Sequence, residues 1–274
     1  MSKSRHVFFL SDRTGITAET LGNGLLTQFD GIDFIKATKP FINTPEKAQA
    51  MVEYIGHVAE DSGVRPLVFS TTVSDEIRTI LRGANGFFLD LFDTFVPSLE
   101  TELGAESTHA AGRAHGVSDP MRYSNRIEAM NFALEHDDGQ STKRLDAADL
   151  ILVGPSRVGK TPASLYLALQ HGVFAMNFPL TEDDLEMMQL PKSLRGHEHK
   201  LFGLTNDADR LHQIRTERRP GSRYASLNQC SYELRAAEQL YRKFNVPFVN
   251  SANMSIEEMA TLAMQEKNIR RHSF

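Results

Sequence analysis

Residues 154 to 164 read GPSRVGKTPAS, in which Gly154, Gly159, Lys160 and Thr161 satisfy the spacing GxxxxGK[ST]. Glycines let a backbone turn sharply enough for successive N–H groups to point at phosphate oxygens. A lysine adds a mobile positive charge, and a hydroxyl at the last position can ligate Mg²⁺. The flanks agree with this. The apolar run DLILV enters the turn and the helix-like ASLYLALQHG leaves it, so Gly154, Pro155, Ser156, Arg157, Val158, Gly159, Lys160 and Thr161 are expected to wrap the phosphates of a nucleotide. Pro162 lacks an N–H donor and is compatible only with a first helical turn, which leaves the preceding N–H groups to hold the phosphate. Arg157 places a second cation in the turn, as suits exchange of phosphoryl groups.

The residues downstream of the turn narrow the chemistry. A GTP switch carries a DxxG after a later strand and an NKxD that reads guanine. The stretch LFGLTNDAD has the strand without those residues. An ATPase motor ends an apolar strand in a catalytic acidic pair, and the similar FFLDLFD lies upstream, in the other half of the chain. Transfer of a phosphoryl group to an acceptor is the expected chemistry, with Lys160 neutralising charge.

Other stretches could contribute. FFLSDRTGITAET reads as a second strand, polar turn and helix start. Ser11, Arg13 and Thr14 there form a candidate anion pocket and Asp12 a candidate catalytic acid; helix capping alone would also account for Thr14 or Thr17. EHDDG puts Asp137 and Asp138 at a helix end, where two carboxylates oppose the helix dipole and invite a cation; a solvated turn would look similar. Asp12, Asp137 and Asp138 are all candidates for positioning an acceptor hydroxyl. The histidines of HAAGRAH (His109, His115, with Arg113) and GHEHK (His197, His199) lack the matching ligands of a metal site and read as surface or phosphate-contacting groups. The run IRTERRPGSRYAS gathers Arg215, Arg218, Arg219 and Arg223 into a basic loop that could steer a phosphorylated partner.

These residues need a scaffold. The apolar runs HVFFLSD, RPLVFSTTV, GFFLDLF, ADLILVG, VFAMNFPL, KLFGLT and VPFVNS alternate with helix-like stretches, the pattern of βα units around parallel sheets. In residues 44 to 60, Thr44 caps, Pro45 starts, and Ala48, Met51, Val52, Ile55 and Ala59 recur at helical spacing. Ser255 and Glu258 form a capping box for a last helix. The Gly- and Ala-rich residues 100 to 120 read as a linker, followed by a helix to residue 136 with Ile127, Met130 and Leu134 on its apolar face.

The expected architecture is therefore α/β with two domains, residues 1–120 and 121–274. Both have mostly parallel sheets and crossover helices, and the phosphate loop lies in the C-terminal one. A chain of 274 residues with 41% apolar and 24% charged residues can bury two cores. Its formal charge of -5 leaves no excess of cations for a nucleic-acid backbone or an anionic membrane, so neither is an expected partner. The apolar run Val7 to Leu10 is short for a signal-peptide core, and the lone Cys230 cannot form an internal disulfide. Both point to the cytoplasm, with Cys230 a small packed side chain.

Taken in order, SDRTGITAETLG, GVRPLVFST, HDDG, GPSRVGKTPASLYLA, HKLFGLT, SRYASLNQC and SIEEMAT resemble the family of phosphoenolpyruvate synthase regulatory proteins and their relatives, the pyruvate, phosphate dikinase regulatory proteins. The resemblance runs from near Ser11 to near Thr261. It implies a bifunctional enzyme. One activity is a Ser/Thr kinase that takes ADP, with Mg²⁺, and inactivates phosphoenolpyruvate synthase by phosphorylating a threonine near its catalytic phosphohistidine. The other is a phosphorylase that removes that group with inorganic phosphate and releases pyrophosphate. It also implies that the nucleotide segment is Gly154 to Thr161, in which Pro155 replaces a small or β-branched residue and costs one N–H. A homodimer is expected. The residues alone leave two rivals, a kinase of a small metabolite and a nucleotide-gated binding protein, and the resemblance leaves a third, a regulator of pyruvate, phosphate dikinase.

Overall fold

The computed structural model describes residues 3–108 and 120–269. Along them run β1 (Lys3–Leu10), α1 (Ile16–Leu26), β2 (Ile32–Lys39), α2 (Pro45–Ser62), β3 (Leu67–Ser70), α3 (Asp75–Leu81), β4 (Phe87–Asp90) and α4 (Leu91–Leu103). Then come α5 (Pro120–Glu135), β5 (Leu150–Gly154), α6 (Lys160–His171), β6 (Ala175–Pro179), α7 (Glu182–Glu186), β7 (Leu201–Thr205), α8 (Ala208–Arg218), α9 (Leu227–Lys243), β8 (Phe248–Asn250) and α10 (Ile256–Glu266). The chain divides into two compact units, Met1–Gly116 and Val117–Phe274. Each contains a four-stranded sheet whose pairings are all parallel, joined by crossover helices, as the alternating pattern predicts.

The two sheets share one strand order, β2-β1-β3-β4 and β6-β5-β7-β8. In each, the chain leaves its first strand to one side and later returns on the other. The carboxyl ends of the first and third strands thus border the crevice where open α/β sheets bind ligands. The segment Gly154–Lys160 leaves β5 at that point. This shared topology left no repeat in the sequence, because it is set by the order of apolar runs and not by similar residues.

Both faces of each sheet are covered, which is why the strands read as near-continuous apolar runs. On β1, Val7 and Phe9 pack with Ala18, Leu26 and Phe69, while Phe8 and Leu10 pack with Met51, Ile55, Ile77 and Leu81. In the second unit, Ile151 and Val153 face Leu240 and Tyr241, and Leu150 and Leu152 face Leu167, Met259 and Ala263. β2 has no counterpart among the expected strands. It is an edge strand, IDFIKATK, with charges among its apolar residues and with Ile32 and Ile35 exposed, so it lacks the apolar run that marks the others.

The caps behave as their residues predict. Thr44 accepts the Lys47 N–H ahead of α2, which buries Ala48, Met51, Ile55 and Ala59. Ser255 and Glu258 close a reciprocal capping box at α10. α5 forms with a different buried face from the one expected. Ile127 is 37% and Leu134 54% exposed, whereas Ala129, Phe132, Ala133 and His136 are buried. Small residues win that face because Ala129 and Ala133 let α5 approach Ala168 of α6 closely. The start of the expected linker is helical, since α4 continues to Leu103. His109, Arg113 and His115 lie outside the described residues. Cys230 is a buried free thiol in the core. Among the described residues no helix is long and apolar enough to cross a membrane.

Two glycines of α1 offer opposite tests of this packing. A Cβ on Gly22 would lie 2.4 Å from the Phe9 ring, while one on Gly24 would meet nothing within 4 Å. Gly22→Ala is expected to destabilise by about 1–3 kcal/mol through overpacking. Gly24→Ala is expected to stabilise by roughly 0.5–1 kcal/mol through helix propensity. Urea unfolding of the two variants checks both signs.

Candidate functional site

The glycine-rich turn begins at the end of β5, which is buried throughout and pairs with β7. A Cβ on Gly154 would sit 2.6 Å from the Leu204 carbonyl oxygen, so only glycine fits there. Beyond it Pro155 and Val158 are buried, and Ser156 and Arg157 are exposed. Arg157 adopts φ 75° and Gly159 φ 98°, left-handed values that turn the backbone into α6. Arg157 carries strain in this position that a glycine would not. The Val158 side chain packs in the core, and its carbonyl accepts the Ser251 hydroxyl at 2.9 Å. Pro162 occupies the first turn of α6, where its missing N–H costs no helical bond.

Lys160 is only 4% exposed, and its Nζ donates to the Pro155 carbonyl at 2.8 Å. Burial lowers its pKa from the ordinary 10.5 to about 8; the Asp138 and Asp137 carboxylates oppose that shift, and the Arg215 and Arg157 guanidiniums add to it. A buried ammonium with two carboxylates nearby is a charge that anionic phosphates would complete.

Those carboxylates arrive from the end of α5. Buried His136 sets each ring nitrogen against a carbonyl oxygen, Nδ1 on Phe132 at 2.7 Å and Nε2 on Lys143 at 2.6 Å. It thereby fastens the chain on both sides of the short 3-10 helix Asp137–Gly139. Asp137 Oδ1 accepts the Thr161 hydroxyl at 2.9 Å and the Asn177 amide Nδ2 at 2.6 Å. The same nitrogen lies 2.8 Å from Thr161 Oγ1 and 3.3 Å from Asp138 Oδ1. The structure therefore brings Lys160, Thr161, Asp137 and Asp138 together and adds Asn177, fully buried on β6. The sequence reading missed Asn177. Its only signal was a lone amide inside the apolar run VFAMNFPL, a buried polar group that must be satisfied by something.

Among the described residues no group of three or more His, Cys, Asp or Glu gathers into a metal set. Two carboxylates and a hydroxyl are hard oxygen ligands that leave other positions to phosphate and water, the pattern Mg²⁺ accepts. The residues present thus fit such an ion.

Behind the turn lies a group that the sequence reading placed differently. Arg215 belongs to no basic loop: it projects from α8 and is fully buried. Its guanidinium takes Glu233 in a fork at 3.2 and 2.7 Å, and donates to the carbonyls of Ser156 at 3.0 Å and Tyr224 at 3.1 Å. It also lies over the Tyr224 ring at 4.2 Å, and the Tyr224 hydroxyl meets Ser156 Oγ at 3.0 Å. The reason is charge balance. An arginine spaced to meet Glu233 of α9 can be taken out of water, whereas Arg219 and Arg223 remain exposed, with Arg223 on Glu182 at 2.5 Å.

In the first unit, the turn after β1 holds the other candidates. Asp12 Oδ2 accepts the Val73 N–H at 3.2 Å, and Ser11 Oγ accepts the Arg13 N–H at 3.1 Å. Asp12 and Arg13 line a cavity of about 370 Å³ with Phe41, Asn43, Ser74 and Ile77. Thr14 is exposed and does not line it. The acidic pair of FFLDLFD, Asp90 and Asp93, faces Arg78 and Arg82 in an ion-pair network within this unit. His197 sits 3.9 Å from Asp146, and His199 falls in the adjacent 3-10 helix Glu198–Lys200.

Comparison with known proteins identifies the family. The family model described as kinase/pyrophosphorylase matches residues 7–264. The chain belongs to the kinase/pyrophosphorylase family. A protein of Pseudomonas aeruginosa named "Putative phosphoenolpyruvate synthase regulatory protein" is 52% identical over 271 residues, 99% of each chain. Proteins of the same name from Pseudomonas fluorescens and Stutzerimonas stutzeri are each 53% identical over 267 residues, 97% of this chain and 98% of theirs.

The buried charges lead to two expected outcomes. Lys160 has a folded pKa below its unfolded one, so the unfolded chain binds more protons between pH 8 and 10.5, and stability attributable to this residue rises with pH across that window. Urea midpoints measured at pH 7.5 and 10 are expected to lose that rise in Lys160→Met. Glu233→Ala strands the Arg215 charge and is expected to cost about 3–5 kcal/mol in the same assay, far more than Arg223→Ala at the surface.

Proposed function

We propose that this chain regulates phosphoenolpyruvate synthase in both directions. As a kinase it moves the β-phosphoryl group of ADP to a threonine hydroxyl of the synthase, yielding AMP and an inactive phosphoprotein. As a phosphorylase it moves that group to inorganic phosphate, yielding pyrophosphate and the free hydroxyl. Family membership and the names of the relatives support the pairing of activities and the target. The observation that carries the reading is the convergence of Lys160, Thr161, Asp137 and Asp138 at the carboxyl end of β5.

Each of these residues then has a physical task. Backbone N–H groups of Gly154 to Thr161 cradle the diphosphate, and Lys160 moves from the Pro155 carbonyl onto phosphate oxygens as charge develops. Mg²⁺ bound through Thr161 and the aspartates would neutralise the phosphates. Asp137 or Asp138 receives the hydroxyl proton. In the return reaction, inorganic phosphate takes the place of the departing AMP's α-phosphate, so one cradle serves both directions. In the first unit, Ser11 and Arg13 would form a separate anion pocket, and Thr14 lies outside the cavity that Arg13 lines. A homodimer in the cytoplasm completes the reading.

The test is to incubate the protein with phosphohistidine-charged phosphoenolpyruvate synthase, Mg²⁺ and either ADP or ATP. Equal amounts of AMP and phosphothreonine are expected with ADP. Neither product with ADP would overturn the reading, and ADP formed from ATP on a free metabolite would favour the small-molecule kinase instead. Lys160→Ala is expected to lower both directions by at least about 100-fold, the range for loss of one transition-state donor. Retention of either direction would sink the shared cradle.

A further inference from the structure

The Asn177 side chain is bonded in a way that an amide cannot fully satisfy. Its Nδ2 carries two hydrogens, yet three oxygens surround it: Asp137 Oδ1 at 2.6 Å, Thr161 Oγ1 at 2.8 Å and Asp138 Oδ1 at 3.3 Å. Its Oδ1 is buried without a partner, a condition that lowers stability. Turning the amide over as it stands would bring Oδ1 to the place of Nδ2, against two carboxylate oxygens, which nothing neutral could hold there. Three converging oxygens around a partly positive nitrogen, with a carbonyl oxygen left over on the same side chain, make a geometry that a small cation would also satisfy.

We propose that Asn177 is a ligand of the divalent cation, and that its amide turns over when the cation binds. Without the ion, the NH₂ group bridges Asp137, Asp138 and Thr161. When the ion arrives, rotation about the last side-chain bond exchanges Nδ2 for Oδ1, which gains the partner it lacks, and the oxygen set becomes Asp137, Asp138, Thr161 and Asn177. The rotation exchanges the amide's hydrogen bonds for coordination by Oδ1; no covalent bond is made or broken and no proton moves. Burial of Asn177 on β6, next to β5, keeps the carbonyl within reach of the ion and limits it to these two orientations. The inference deepens the proposed phosphoryl-transfer reading, on which it rests, by naming a residue of its cation site.

The test measures binding, so it does not depend on which acceptor is phosphorylated. Mn²⁺ is titrated into the full chain, alone and with ADP, and free Mn²⁺ is followed by its EPR signal. Asn177→Asp retains the oxygen and is expected to bind Mn²⁺ within about 3-fold of the parent or more tightly. Asn177→Leu removes both polar atoms at similar volume and is expected to weaken Mn²⁺ binding by about 10–100-fold, the range for lost metal-site partners, while metal-free ADP binds as before. Side-chain amide NMR gives a second readout: the Asn177 NH₂ signals are expected to shift on adding Mg²⁺ with ADP, as their three acceptors are lost. Parent-like Mn²⁺ affinity in Asn177→Leu, or NH₂ signals unmoved by Mg²⁺ with ADP, would overturn the inference. If phosphothreonine never forms but Asn177→Leu loses Mn²⁺, the transfer reading fails and the cation ligand stands.

Discussion

The second unit is organised around one unusual charge, the Lys160 ammonium held almost out of water. A buried cation must be matched or it destabilises the fold, and here the match is incomplete: one carbonyl bond and two aspartates close enough to raise its pKa without overcoming burial. Everything nearby answers to that constraint. Gly154 brings the backbone against β7, Ser251 ties the Val158 carbonyl, and Arg215 clamps the Ser156 carbonyl while Glu233 neutralises it. The outcome is a fixed turn whose buried ammonium would gain from an anionic phosphate and whose aspartates would gain from a divalent cation. That is what a site for exchanging phosphoryl groups requires.

Rigidity on one side is matched by a polar cluster on the other. Asp137 and Asp138 stand at the end of α5, where they would repel both each other and the helix's negative end. They are tolerated because Asn177 and Thr161 supply donors and because His136 pins the turn to Phe132 and Lys143. The first unit shows the same strand order and its own crevice at the switch between β1 and β3, lined by Asp12 and Arg13. Its buried hydroxyls, Ser11, Ser70, Thr71 and Thr72, cluster at strand ends, where such folds place their polar chemistry.

Much of this was legible in the sequence, for identifiable reasons. Seven strands announced themselves because sheets covered on both faces need uninterrupted apolar runs; β2 did not, because charges such as Asp33 and Lys36 interrupt its apolar residues. The glycine-rich turn into α6 could be read from Gly154, Gly159 and Lys160, since its backbone geometry dictates residue types. The partners that make it a site were harder. Asp137 and Asp138 were visible as an anomaly at a helix end, but their meeting with Thr161 depends on how α5 and β6 pack. Arg215 read as one of four loop arginines, because nothing local distinguishes an arginine whose carboxylate lies 18 residues on, at Glu233. The apolar face of α5 was misassigned for a related reason: Ala129 and Ala133 carry little hydrophobic signal, yet they permit the closest approach to α6.

The most direct measurement is a crystal structure of the chain with Mg²⁺ and ADP. The diphosphate is expected on the N–H groups between Gly154 and Thr161, with Lys160 Nζ moved from the Pro155 carbonyl to a phosphate oxygen and the ion against Thr161 and Asp137. A nucleotide bound elsewhere, with Lys160 still on Pro155, would refute the assignment of this turn as the phosphate cradle.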